Sequence, residues 1–117
     1  MTDYIKIPRM SNDQINYYLY RIYHLLKFGN INITIRRIKK TRGLALGRNI
    51  WLNPDHPIHP TLIHECLHLL YWHRKHKWVD IMEERIARRI SEQQIRKLLL
   101  LMAARLRQSK PLPTPPM

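Results

Sequence analysis

Pro60-Thr61-Leu62-Ile63-His64-Glu65-Cys66-Leu67-His68-Leu69-Leu70-Tyr71 is the stretch on which the reading of this chain turns. Pro60 suits the first turn of a helix, and Leu62, Ile63, Leu67, Leu70 and Tyr71 recur at helical spacing, so a helix is expected from Pro60 to about Lys77. Four residues of helix turn about 400°, which puts His64 and His68 one turn apart on one face, both imidazoles within reach of a single tetrahedral ion. A separation of two or five positions would swing the second ring roughly 200° or 140° away. Cys66 falls about 200° from His64 and reads as a buried, inert thiol.

Working outward, the segment before this helix, Asn53 to Pro60, holds three prolines, one aspartate and two histidines and reads as a loop. Upstream of it, Leu44 and Leu46, then Ile50 and Leu52, alternate on either side of Gly47-Arg48, and Ile31, Ile33 and Ile35 alternate with polar partners, so a small antiparallel sheet is expected with a turn at Thr41-Arg42-Gly43. Ser11 and Gln14 form a capping box ahead of an amphipathic helix through Ile15, Leu19, Ile22 and Leu26, which should close at Gly29-Asn30 in a left-handed conformation. Downstream, a short break is expected near Trp78 to Asp80, then helix to about Gln108, divided by a second capping box at Ser91 and Gln94. Trp51, Trp72 and Trp78 read as core and cleft-rim aromatics.

The chemistry follows from the spacing. Glu65 stands beside the first histidine, where its carboxylate can take a proton from a metal-activated water and pass it to a leaving amine, the general-base role of His-Glu-x-x-His in metalloproteases. A catalytic zinc needs a third protein ligand and an open position. The metzincin continuation would place glycine and histidine where Tyr71 and Arg74 stand, and is rejected. His73 and His76 fall about 140° and 80° around the helix from His68, so neither meets the same metal unless the helix ends early. A glutamate on the next helix completes a His-His-Glu site if that helix packs antiparallel. Glu83 lies within the stripe of Met82, Ile86, Ala87 and Ile90 and is preferred; Glu84 lies at its edge, with the small residues Ala87 and Ser91 following at helical spacing. Either could instead be a solvated partner for Arg88 or Lys77.

His64-Glu65-x-x-His68, preceded by Asn49-Ile50-Trp51-Leu52-Asn53 and followed by Glu83-Glu84-x-Ile86-Ala87, resembles the small gluzincin-like zincins, a set of minimal metallopeptidase domains several of which are phage-encoded. Glu84-x-x-Ala87 is also similar to the third-ligand helix of the phage-repressor-cleaving and radiation-response peptidases, whose matching residue is a zinc ligand. The likeness spans roughly Ile31 to Ile95. It implies an α+β, zincin-like domain over residues 1–108, with an N-terminal helix, the sheet, the His-Glu-x-x-His helix and a C-terminal helix carrying a Glu ligand. It also implies Zn2+ as cofactor, a peptide or protein substrate, and Asn49 to Asn53 as the sheet's upper edge, pairing with an extended substrate by strand addition. The sequence departs from the family in its basic connection His73 to Lys77. Tyr71, His73 and His76 are candidates by chemistry for stabilising an oxyanion.

At 117 residues the chain is expected to be one domain, with the proline-rich 109–117 an extended or disordered tail. The longest apolar run, Leu98 to Ala104, is far short of the roughly twenty residues that span a membrane. One cysteine and an N-terminus without a signal-peptide pattern read as a cytoplasmic protein, of a virus-infected host cell if the phage likeness holds. The balance of 21 Lys and Arg against 8 Asp and Glu, a net +13, favours a polyanionic neighbour. Arg36, Arg37, Lys39, Lys40, Arg42 and Arg48 occupy an acid-free stretch suited to nucleic-acid phosphates, and Leu98 to Met102, apolar all round, suits self-association. Two expectations therefore compete: a zinc metallopeptidase, or a non-enzymatic basic nucleic-acid-binding or assembly protein on a zincin-like fold.

Overall fold

The structure, a computed structural model, describes residues 9–110 and Leu112. Ser11 opens α1 (Asn12–Phe28) with a reciprocal capping box: its hydroxyl accepts from the Gln14 N–H at 3.2 Å, and Gln14 Oε1 accepts from the Ser11 N–H at 2.8 Å. Ile15, Leu19, Ile22 and Leu26 make the buried stripe. Gly29 closes the helix in an extended conformation, φ −69°, rather than the left-handed one expected. Close approach is the reason for glycine: its N–H donates to Leu25 O at 2.8 Å, and a Cβ would run into that carbonyl.

Three short strands follow, β1 (Asn32–Ile35), β2 (Gly43–Leu46) and β3 (Asn49–Leu52). Their order is β1-β3-β2, with β3 parallel to β1 and antiparallel to β2. The sheet is thus mixed rather than antiparallel, β1 and β2 do not form a hairpin, and Asn49 to Asn53 belongs to the centre of the sheet rather than its upper edge. The reason is burial. Alternation marks one buried face but not the neighbour, whereas Ile50, Trp51 and Leu52 are buried on both faces, as a central strand must be. β2 and β3 meet in a tight hairpin with Gly47 at φ 64°, the glycine position of a type II′ turn.

The two outer edges differ. On β1, the Ile33 N–H donates to the Ser109 hydroxyl at 3.0 Å, and the Leu112 N–H donates to the Thr34 hydroxyl at 3.3 Å, so Ser109 and Leu112 lie against that side. Among the described residues no strand pairs with the outer side of β2.

The helix of the opening motif is α2 (Ile58–Leu70), followed by α3 (His76–Arg89) and α4 (Glu92–Gln108). α2 stops seven residues short of Lys77, and the break falls at residues 71–75 instead of Trp78 to Asp80. Trp78 and Val79 belong to the buried face of α3. Between Trp72 and Trp78 no apolar residue continues the buried stripe, and it is there that the chain leaves the helix. His68 meets His76 while His64 meets Glu83, so α3 runs antiparallel to α2. The Ser91–Gln94 capping box opens α4 as expected. Leu98 and Met102 are buried, α4 packing on α1 and β1, and Leu100 faces outward. Of the expected tail 109–117, Ser109, Lys110 and Leu112 lie within the described residues and the others outside them. No helix among the described residues is long and apolar enough to cross a membrane.

Candidate metal centre

α2 is sheathed by β2, β3, α1 and α3, and every residue from Thr61 to Leu67 is buried. His64 and Glu65 are therefore both taken out of water. Burying two ionisable groups is costly unless each is paired, and the pairing is visible for His64. Its Nδ1 lies 2.8 Å from Glu83 Oε1 and 3.4 Å from Asp80 Oδ1, both on α3. Arg42, just before β2, donates to both oxygens of Glu83, through Nη1 to Oε2 at 2.9 Å and through Nη2 to Oε1. Burial pushes the Glu83 carboxyl up, but hydrogen bonds from His64 and Arg42 outweigh it and hold the group at about 2. Glu83 is thus a carboxylate able to accept a hydrogen bond from His64 Nδ1–H, and in that tautomer the Nε2 lone pair faces the other way.

On that other side, His64 Nε2 stands 3.0 Å from His68 Nε2, and His68 Nε2 stands 3.1 Å from His76 Nδ1. The three nitrogens lie within 4.8 Å of one another. Zinc–nitrogen bonds of about 2.0–2.1 Å put tetrahedral ligand nitrogens roughly 3.3 Å apart, so the spacing fits an ion of that size. A single ring nitrogen carries one hydrogen or one lone pair, so His68 Nε2 cannot make two good hydrogen bonds to its neighbours, whereas an ion would use all three lone pairs at once. Burial, with the neighbouring rings of His64 and His76, lowers His68 to about 4 and keeps it neutral, the form that ligates. His76 is braced by Asp80, Nε2 to Oδ2 at 3.4 Å.

His64, Asp80 and Glu83 form a second group whose atoms could hold a metal. It fits less well. The Arg42 guanidinium, 3.2 Å from His64 Nδ1 and bonded to Glu83, occupies that side with positive charge.

Glu65 lines the same cleft as the three histidines, an open space of about 840 Å³ walled by the whole of β2, Arg42, Gly47, Leu69, Trp72 and Asp80. Burial chiefly, and Glu83 also, pushes its carboxyl up to about 7, against the pull of His64 and Arg42. Gly43 makes the approach of α2 to β2 feasible: a Cβ there would stand 2.6 Å from Thr61 Cγ2, 2.9 Å from Glu65 Oε2 and 3.0 Å from Trp51 O.

His64, Glu65 and His68 are thus brought together as the spacing implied, with Glu83 on the far nitrogen of His64. Glu84 lies elsewhere, exposed and paired with Arg88 at 2.6 Å, the solvated alternative considered for it. His76 joins the cluster because α2 ends early, the one condition under which it could meet the same metal; the polar run His73 to Lys77 was the available signal. Of the oxyanion candidates, Tyr71 turns inward against Tyr18 and Trp78, its hydroxyl buried without a partner, and His73 stands exposed beside Trp72. Cys66 is buried, and burial drives its thiol far above the ordinary range. Among the six basic residues, Arg42 serves the site and Arg37 pairs with Asp55 at 3.2 Å, while Arg36, Lys39, Lys40 and Arg48 are exposed. No family model, no curated protein and no solved structure matches the chain.

Proposed function

We propose that this chain is a zinc-dependent peptide hydrolase with a zincin-like site. The observation that carries the reading is the convergence of His64 Nε2, His68 Nε2 and His76 Nδ1 at 3.0 and 3.1 Å, beside a buried carboxylate, under an unpaired strand edge. His64, His68 and His76 would hold the ion; Glu83 takes the orienting place that the sequence suggested for a ligand. Bound there, zinc would supply the positive charge that acidifies a water and polarises a carbonyl. Glu83 and Asp80 fix the outer nitrogens of His64 and His76, which sets their tautomers and aims the inner lone pairs. Glu65, in the same cleft as the three histidines, would receive the proton of the attacking water and return it to the leaving amine. β2 offers backbone donors and acceptors along the cleft, so an extended peptide can add to the sheet there.

Glu65→Gln keeps the size of the side chain and removes the base. Zinc content by elemental analysis should stay at one per chain, while hydrolysis of a proteome-derived peptide library falls by about 10²–10⁴-fold. Unchanged turnover would refute the mechanism. The exposed Arg36, Lys39, Lys40 and Arg48 favour a second reading, in which the domain binds nucleic-acid phosphates. DNA titration at low and moderate salt tests it, and absence of binding at low salt would remove it.

A further inference from the structure

The cleft continues past the hairpin turn. Gly47 and Leu69 line it, and they also line a hollow of about 290 Å³ whose remaining walls are Leu25, Asn30, Ile31 and Arg48. Leu25, Ile31 and Leu69 make three sides apolar, and Arg48 is the one charged residue among these walls. At the other end of the cleft Arg42 is neutralised by Glu83. Arg48 is exposed and has no ion-pair partner among the described residues. Gly43, at the start of β2, touches the Glu65 side, and Leu46 at its end leads to the hollow. An extended chain rises about 3.3 Å per residue and β2 is four residues long, so a peptide held along β2 with its reactive bond over the histidines reaches the hollow within the length of that strand.

We infer that this hollow is a specificity subsite for an Asp or Glu side chain of the substrate, its methylenes against Leu25, Ile31 and Leu69 and its carboxylate against the Arg48 guanidinium. The inference rests on the peptide-hydrolase reading and names the substrate class for it: peptides acidic at one position to one side of the cleaved bond. Charge-assisted hydrogen bonding to a guanidinium gives that position its selectivity. The net +13 attracts acidic peptides in general but does not choose a position.

The test separates the two. Zinc-loaded Glu65→Gln protein is titrated with fluorescent peptides of fixed length in which a single Glu, Gln or Lys is moved one position at a time. Glu at one position should bind about tenfold more tightly than Gln, with Lys weaker still. Arg48→Glu should reverse that order, and Arg48→Lys should restore it in part. Arg107→Glu, the same change of charge on the exposed end of α4, should leave the positional preference intact. A preference for Glu independent of position, an equal effect of Arg107→Glu, or no peptide binding would overturn the subsite. The same peptides are then given to the unsubstituted protein. Cleavage without positional preference leaves the hydrolase standing and removes the subsite; positional binding without cleavage does the reverse.

Discussion

His64 uses its two nitrogens for different purposes, and the division is made by its neighbours. Glu83, held ionised by Arg42, is placed to accept a hydrogen bond from Nδ1–H, and in that tautomer the Nε2 lone pair is directed at His68 and His76. This arrangement assigns distinct consequences to three substitutions on α3. His76→Ala removes one of the three nitrogens proposed to hold the ion, and on that proposal the protein should lose stoichiometric zinc under conditions where the unsubstituted chain keeps it. Glu83→Gln leaves the three imidazoles in place but loosens the orientation of His64, and zinc affinity should fall by about 10–100-fold. Glu84→Ala, remote from the cluster, should leave affinity unchanged. Competition against a chelator measures all three. Full loss in Glu83→Gln with retention in His76→Ala would return the glutamate to the metal.

Two elements decide whether those residues can meet. α2 must end at Leu70 so that the chain can turn and bring His76 back over His68, and β2 must lie close enough to α2 to form the wall of the cleft. Gly43 is the contact point, where Trp51 O and two α2 side chains leave no room for a Cβ. Gly43→Ala should therefore destabilise the fold by about 1–3 kcal/mol, as overpacking does, and displace Glu65 as well. Urea unfolding with zinc saturated, set beside turnover, checks this; stability within error of the parent would mean that β2 yields freely. Ser11 and Ser91 were readable as caps because the donor and acceptor lie three residues apart. The strand order was not readable, because hydrophobic alternation in β1 and β2 is the same whether they pair with each other or both flank β3.

At the scale of the whole molecule, the buried charges of the cleft set the acid stability of the metal-free protein. His68 is held at about 4 against an ordinary 6.5, so stability is lost as pH falls from 6.5 towards 4, where the unfolded chain takes up a proton that the folded chain refuses. Glu65 has the opposite sign. It is raised from 4.5 to about 7, so folded protein gains stability as pH falls from 7 to 4.5. Glu83, lowered to about 2, contributes stability above 4.5 that disappears as pH falls from 4.5 towards 2. The first two offset one another, so the melting temperature with chelator present should be nearly flat from pH 7 to 4.5 and drop below it. In Glu65→Gln, the drop should begin near pH 6.5. A decline in the parent chain already steep at pH 6 would contradict the balance.

By itself the sequence determined the local pattern: two imidazoles one turn apart on a helix, a carboxylate beside the first, and caps at Ser11 and Ser91. Each depends on residues within four positions of one another, and the backbone geometry of one turn is enough to relate them. Only the tertiary structure decided the third nitrogen of the cluster, the place of Glu83 on the far nitrogen of His64, and β2 as the open edge. Those depend on where a helix stops and which strand lies in the middle, and both are settled by what each side chain can bury against distant parts of the chain, a quantity that no local period encodes.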